Sequence, residues 1–515
     1  MRAALAAAIL LTPIAASAQQ KAAAAKGPDL KALDAWITRA MTEWKIPGVA
    51  VGIVKDGKVV VSKGYGYRNV EEKLPVTEKT IMAIGSNTKS FTVVLMGKLV
   101  DQGKLDWEKP VRSYLPDFRL YDAYSTAEMT PRDLVSHSSG LPRHDLLWYG
   151  RSWGRKEIYQ HLQYLEPTTS FRGRFQYQNL MFITAGYLTE QLTGKSWEQQ
   201  LQDEIFNPLG MTRTNTSVTQ TQKTDDFSYP YTTRDSQVVR IPFRQLDAAG
   251  PAGSINSSVE DMLKYVQMRI DSGVAGGKQF YSKAVNNKMQ TPVIVAPGFA
   301  GNEATGEIGP TTYGLGVAVT NYRGHKMVIH GGGIDGFLSQ MSWLPNERVG
   351  AIVLTNSTGA NIANIITYAI YDFMLGLEPV DWIGRQKTQM ARGVIAQDSV
   401  RKAREGERKM GTSPSHQLAD YAGTYEHPGY GQIIVTTNGS GLEFQFDTHK
   451  AGLKHFHYDV FEIDDAKNIV PLNGRISFLT NAKGIVDRIG VPIEQALPDR
   501  IFNRVTGQGN KAGGQ

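Results

Sequence analysis

At 515 residues the chain is too long for one compact core, so more than one domain is expected. Hydrophobic residues at 41% and charged residues at 20% are ordinary for a soluble globular protein, and the +7 net charge is spread without a long Lys/Arg run. That dispersion argues against a nucleic-acid partner, and the absence of cysteine excludes disulfides, thiolate metal sites, a cysteine nucleophile and a lipidated N-terminal cysteine.

The chain opens with Arg2, an apolar stretch over residues 3–14 broken by Pro13, and the small-x-small triplet Ala16-Ser17-Ala18. This is the pattern of a secretory signal peptide over residues 1–18, cut after Ala18. A spanning helix needs about 20 apolar residues, more than this stretch or any later one offers. The expected address is the periplasm or the extracellular space, with no membrane span.

A short linker, residues 19–29, precedes a helical pattern over 30–44 carried by Leu30, Leu33, Trp36, Ile37 and Met41. Residues 48–61 read as two strands joined at Asp56-Gly57. Helical character returns over 80–103, and Thr130-Pro131-Arg132-Asp133 has the capping Thr, leading proline and acid of a helix start. A mostly helical, loop-rich middle runs to Arg269. Strand patterns follow over 313–319, 327–330, 338–344 and 350–356, and a helix over 362–375 closes the unit. This order predicts an α+β domain over 30–383, an antiparallel sheet flanked by helices with a helical subdomain inserted.

Residues 384–416 read as a charged linker carrying one exposed helix. Beyond it, strand-like runs at 433–436, 442–446, 460–463 and 476–479 are separated by turn signals such as Asn438-Gly439 and Asn473-Gly474. They predict a small all-β domain over 417–506, a barrel or a sandwich. The Gly-rich tail, 507–515, is expected to be disordered.

Three stretches carry candidate chemistry. Ser86-Asn87-Thr88-Lys89 places a hydroxyl and an amine three residues apart, on one face of a helix. A serine hydroxyl needs an adjacent base, and a lysine can be that base once burial or positive neighbours depress its pKa. About one or two such tetrads arise by chance in a chain this long. Ser399 to Lys402 is a second one, read as a solvated helix face. Ser86 differs in its apolar frame: residues 81–84 precede it, and Phe91, Val93, Val94 and Leu95 follow.

Tyr177-Gln178-Asn179 supplies a phenol that can shuttle a proton and an amide that can bind a substrate. A similar Tyr67-Arg68-Asn69 beside the hairpin is read as structural. His330-Gly331-Gly332-Gly333 follows a strand pattern, and its glycines let a substrate backbone come close.

In this order and spacing the three stretches resemble the serine β-lactamase and penicillin-binding protein superfamily, in its class C-like branch of peptidases and esterases. Leu134 to Leu141, Tyr313-Gly314-Leu315-Gly316 and residues 350–356 add to the likeness, which spans 30–375. The resemblance implies Ser86 as the acylated nucleophile, Lys89 and Tyr177 as the proton-transfer pair, and Asn179, His330 and Gly332 as substrate contacts. It implies an oxyanion hole made by the backbone N–H groups of Ser86 and Gly333. No cofactor or metal is required. The C-terminal segment resembles the lipocalin-like β domain appended to some of these hydrolases. In it His455 and His457 would share one strand face, with no third metal ligand evident.

One departure bears on substrate. The β-lactamases of this family carry Lys-Thr-Gly where this chain has His330-Gly331-Gly332, so a permanent cation and a hydroxyl are missing. Peptide, amide or ester substrates are therefore expected over β-lactams. Pocket walls are expected in the loop-rich stretches 146–167 and 292–310. The alternatives are a true β-lactamase, a non-catalytic sensor of cell-wall peptides, and an ordinary α/β-hydrolase. The last needs Gly-x-Ser-x-Gly, which the chain lacks.

Overall fold

The computed structural model describes residues 28–439, 441–464 and 474–505. The signal peptide, most of the first linker, Asn473 of one expected turn and the expected disordered tail lie outside the described residues.

Helix α1 (Leu30–Glu43) begins where the Asp29 carboxylate accepts from the Ala32 N–H, and it buries Leu33, Ile37, Ala40 and Met41 on one face. Strands β1 (Gly48–Lys55) and β2 (Lys58–Asn69) form the expected hairpin, and β3 (Leu74–Pro75) edges it. Helices α2 (Thr88–Asp101), α3 (Leu180–Thr193) and α4 (Val259–Ile270) come from the helical middle. Then β4 (Ile294–Val295), β5 (Thr312–Tyr313), β6 (Ala318–Tyr322), β7 (His325–Ile334), β8 (Phe337–Leu344) and β9 (Val349–Thr355) lead into α5 (Ile362–Leu375).

All nine strands form one antiparallel sheet in the order β4-β5-β6-β7-β8-β9-β1-β2-β3. The first strand of the domain thus pairs with the last, Val49 opposite Thr355 and Lys55 opposite Val349. β1 is apolar on both faces because helices cover both. Val49, Val51 and Ile53 pack toward α1 and α5, while Ala50 and Val54 join α4 and the helical middle. Gly52 is needed in this packing: a Cβ there would lie 2.6 Å from Val259 and 2.8 Å from Leu263 and Ile352.

Two sequence expectations shift. Helix is not continuous over 80–103: Met82–Ala83 is extended and pairs with Asn256–Ser257, and Gly85–Asn87 is a 3₁₀ turn leading into α2. Gly85 at φ +50° allows that turn. The strand expected over 313–319 is two strands, divided at Gly316, whose φ is +70°.

Helix α6 (Trp382–Gly406) occupies most of the charged stretch and buries only Trp382 and Ile383. Ser399 and Lys402 lie on its exposed part, bonded to Ile395 and Asp398 of the same helix. A closed barrel of eight strands follows: β10 (Gly423–His427), β11 (Gly431–Asn438), β12 (Gly441–Phe446), β13 (His449–His457), β14 (Val460–Asp464), β15 (Arg475–Thr480), β16 (Val486–Val491) and β17 (Arg500–Arg504). Alternation fills its interior, with Leu442, Phe444 and Phe446 buried between half-buried neighbours on β12. Tyr425 opposite Arg504 closes it. His455 and His457 are separated by a bulge in β13, and among the described residues no group of three or more metal-binding side chains gathers. No described helix is long and apolar enough to cross a membrane.

Candidate active site

The cluster forms where α2 starts beneath the end of β7. Ser86 ends up in the 3₁₀ turn and Lys89 in the first turn of α2, so the spacing of three brings Lys89 Nζ to 2.9 Å from Ser86 Oγ. Lys89 is fully buried and its Nζ also reaches Asn179 Oδ1 at 2.8 Å and the Ala252 carbonyl at 2.7 Å. Burial, and next the positive charge of Arg143, hold its pKa well below the ordinary lysine value, against the opposing pull of Asp145. The arrangement then fixes the lone pair. Asn179 Oδ1 and the Ala252 carbonyl accept only, so a neutral amine donates its two hydrogens to them and turns its lone pair to the Ser86 hydroxyl.

Tyr177 Oη donates to Ser86 Oγ from the other side, at 2.7 Å. Burial pushes the phenol up to about 12, so it is a proton donor near neutral pH. Its ring lies 4.3 Å from that of His137 and 5.9 Å from that of Phe299. His137 was not singled out from sequence. It is fully buried at φ +60°, and its Nδ1 accepts from the Gln178 N–H, which ties it to the loop that carries Tyr177. The signal was the unusual Ser-His-Ser-Ser-Gly stretch, whose backbone role no periodicity reveals.

Asn179, expected to contact substrate, uses both ends inside the site: its carbonyl takes Lys89 and its amide donates to Asp145 Oδ1 at 3.3 Å. His330 is buried, with a pKa lowered to about 3, chiefly by burial and then by Lys89. Its Nδ1 bonds the Gly331 carbonyl at 2.6 Å and must carry the proton, because a carbonyl cannot donate. Nε2 therefore accepts from Tyr313 Oη at 2.9 Å. Both ring nitrogens are engaged and the ring is neutral, so His330 does not supply the cation of Lys-Thr-Gly.

Gly332 and Gly333 lie against the serine turn. A Cβ on Gly332 would sit 1.9 Å from the Ile84 carbonyl, and one on Gly85 would sit 2.7 Å from the Gly333 nitrogen. Only glycine permits this approach. Ser339 on β8, opposite Gly332, locks it by donating to Ile84 O at 2.7 Å and accepting from Asn87 Nδ2 at 2.7 Å. Ser86 and Gly333 thus border one cleft.

That cleft has a volume of about 400 Å³ and is lined by Ser86, Tyr177, Phe299, His330, Arg143 and Asn364, among others. A recess of about 60 Å³ beside it adds Trp148 and Leu246. Phe299 and Trp148 fall in the expected wall stretches; Arg143, Leu246, Asn361 and Asn364 do not. Tyr149, next to Trp148, donates to Asp335 at the turn between β7 and β8, at 2.6 Å.

Such a sheet, with a serine, lysine and tyrosine gathered at one cleft, defines a serine hydrolase of the β-lactamase and penicillin-binding protein fold. The chain belongs to the Beta-lactamase family, whose model matches residues 33–372, and residues 407–505 match one described as Domain of unknown function (DUF3471). The unguisins hydrolase ungD of Aspergillus violaceofuscus is 28% identical over 507 residues, covering 90% of this chain and 87% of that protein. The octameric penicillin-binding protein homologue from Pyrococcus abyssi superposes with a TM-score of 0.60 at 25% identity, over 92% of this chain and 100% of that one. A D-stereospecific amidohydrolase from Streptomyces sp. shares the fold, with a TM-score of 0.56 at 22% identity over 68% of this chain and 100% of that one.

Proposed function

We propose that this protein is an exported serine hydrolase that cleaves peptide, amide or ester bonds through an acyl-enzyme on Ser86. The observation that carries the reading is Ser86 Oγ held between Lys89 Nζ at 2.9 Å and Tyr177 Oη at 2.7 Å, with the lysine pKa depressed by burial. Lys89 takes the hydroxyl proton as Oγ bonds to the substrate carbonyl carbon. The N–H groups of Ser86 and Gly333 stabilise the oxyanion. As the C–N or C–O bond breaks, Tyr177 protonates the leaving atom and is reprotonated by the proton Lys89 gained. Water then attacks the ester, its proton passing to the same pair, and Ser86 is released.

The neutral His330 in place of a lysine favours peptides, amides or esters over β-lactams, and D-amino-acid peptides and short acyl esters head the substrate list. Export rests on the leader pattern of residues 1–18. The test is labelling with a fluorescent phosphonate, followed by a panel of D-amino-acid peptides, acyl esters and a chromogenic β-lactam, with Ser86→Ala as control. Labelling of the wild type alone is expected. Equal labelling of both proteins, or none of either, would overturn the enzyme reading. N-terminal sequencing of the secreted chain should begin at Gln19.

A further inference from the structure

We propose that Arg143 is the anion anchor of the cleft, and that it selects substrates bearing a free carboxylate near the scissile bond. The proposal rests on the Ser86 reading and adds a substrate class to it.

The cations that sequence offered are spent. His330 is neutral with both nitrogens engaged, and Lys89 is buried with its amine held by Ser86, Asn179 and Ala252. Arg143 is different. It lines both the main cleft and the recess beside Ser86, and its side chain is 53% exposed. Its Nε donates to Asp145 Oδ2 at 2.6 Å, and its guanidinium carbon lies 5.3 Å from the centre of the Tyr177 ring. That single bond leaves the two terminal nitrogens, the fork that grips carboxylates in pairs, without a partner among the described residues.

Asp145 does not compete as a receptor for amines. Its Oδ1 already accepts from Trp148 Nε1 at 2.9 Å and from Asn179 Nδ2 at 3.3 Å, while Oδ2 holds Arg143. The acid therefore steadies the fork and presents little free acceptor capacity to a substrate ammonium.

The backbone under Arg143 is also fixed. His144 stands in the left-handed region at φ +45°, fully buried. The barrel holds it from two sides: Glu494 Oε2 accepts its N–H at 2.7 Å, and Tyr430 Oη lies 2.6 Å from its Nδ1. The same loop is held further on, where Ser152 donates to Asp447 at 2.9 Å. In the same cleft, Asn364 Oδ1 is buried with no partner among the described residues, an acceptor suited to a substrate N–H.

The experiment compares two matched ester pairs. One carries the carboxylate on the leaving side (the N-benzoylglycyl ester of lactic acid against that of lactamide). The other carries it on the acyl side (p-nitrophenyl hemisuccinate against p-nitrophenyl butyrate). The readout is the ratio of kcat/KM within a pair, which cancels any effect of Arg143 on Lys89. In the wild type one pair should favour the acid about 10- to 100-fold, falling at high salt. In Arg143→Gln that ratio should collapse toward one, and Arg143→Lys should recover part of it. Ratios near one in both wild-type pairs, or an unchanged ratio in Arg143→Gln, would overturn the anchor. Loss of phosphonate labelling at wild-type Ser86 would instead overturn the reading on which it rests.

Discussion

Tyr177→Phe isolates one hydroxyl. Its donor bond to Ser86 Oγ, 2.7 Å, is lost, while the ring keeps its neighbours His137 and Phe299 at 4.3 and 5.9 Å. Fold stability should change little, by about 1 kcal/mol, the net value of one hydrogen bond. Catalysis should change far more. Proton transfer by a placed side chain is worth about 10²- to 10⁴-fold, or roughly 3–5 kcal/mol. If Tyr177 protonates the leaving atom, the loss must depend on that atom. An alkyl amide or alkyl ester needs the proton and should show the full loss. A p-nitrophenyl ester, which departs as a stabilised anion, should show a loss of less than about tenfold. Acylation rates from single-turnover kinetics on the two substrates give the comparison, with the thermal midpoint checking the fold. Equal losses on both leaving groups would refute the assignment of Tyr177 as the acid, and a loss below about tenfold on the amide would refute any proton-transfer role.

Gly332→Ala would place its Cβ 1.9 Å from the Ile84 carbonyl and 2.4 Å from Ser339 Oγ, so strand β7 must withdraw from the serine turn. Phosphonate labelling of Ser86 should slow at least about 100-fold, the scale of one lost oxyanion donor, in a protein with native circular dichroism; a wild-type rate would refute the close approach. Glu494→Ala leaves the buried His144 N–H without its acceptor and should destabilise the loop by about 1–3 kcal/mol. Protease cutting within residues 143–153 reports it, and Glu494→Gln, which keeps an acceptor oxygen, should be milder. Burial lowers the pKa of His144 and His427 to about 4 and that of His330 to about 3, and lowers those of His137 and His449 as well. The unfolded chain takes up these protons near pH 6.5, the folded one only at lower pH, so stability must fall as pH drops below 6.5. Each histidine that stays neutral contributes about 1.4 kcal/mol per pH unit, read from denaturant midpoints between pH 7 and 5. Flat midpoints would contradict the neutral rings.

What could be read from sequence and what could not divide along physical lines. The hairpin at Asp56-Gly57, the helices α1 and α5 and the α+β order were legible because short-range periodicity and turn chemistry encode them. The helix start near Ser86 was misplaced: Ile81 to Ile84 are apolar enough for a helix, but pairing with Asn256–Ser257 draws Met82–Ala83 into a strand. Three barrel strands, β10, β16 and β17, have no sequence reading, and β13 is legible only as the strand face of His455 and His457, since its burial alternation is interrupted by the bulge near His455. In the site, Ser86, Lys89 and Tyr177 were legible through motif order. Arg143 and Asp145 were not, because a charged loop residue has no pattern until the fold shows which cavity it borders. The bonds of Asn179 and His330 to their own neighbours, Lys89 and Tyr313, were equally invisible for that reason.

The grip of the barrel on His144 has a consequence in time. Tyr430 and Glu494 leave the ribosome roughly 300 residues after the loop they hold, which at about 5–20 residues per second is a delay of tens of seconds. Strand β9 arrives earlier, so the sheet can close first and the mouth of the cleft is finished last. A chain interrupted before the barrel would keep the pairing of β1 with β9 and lack the clamp beside Arg143. The last support of the cleft thus comes with the barrel, long after the serine it serves.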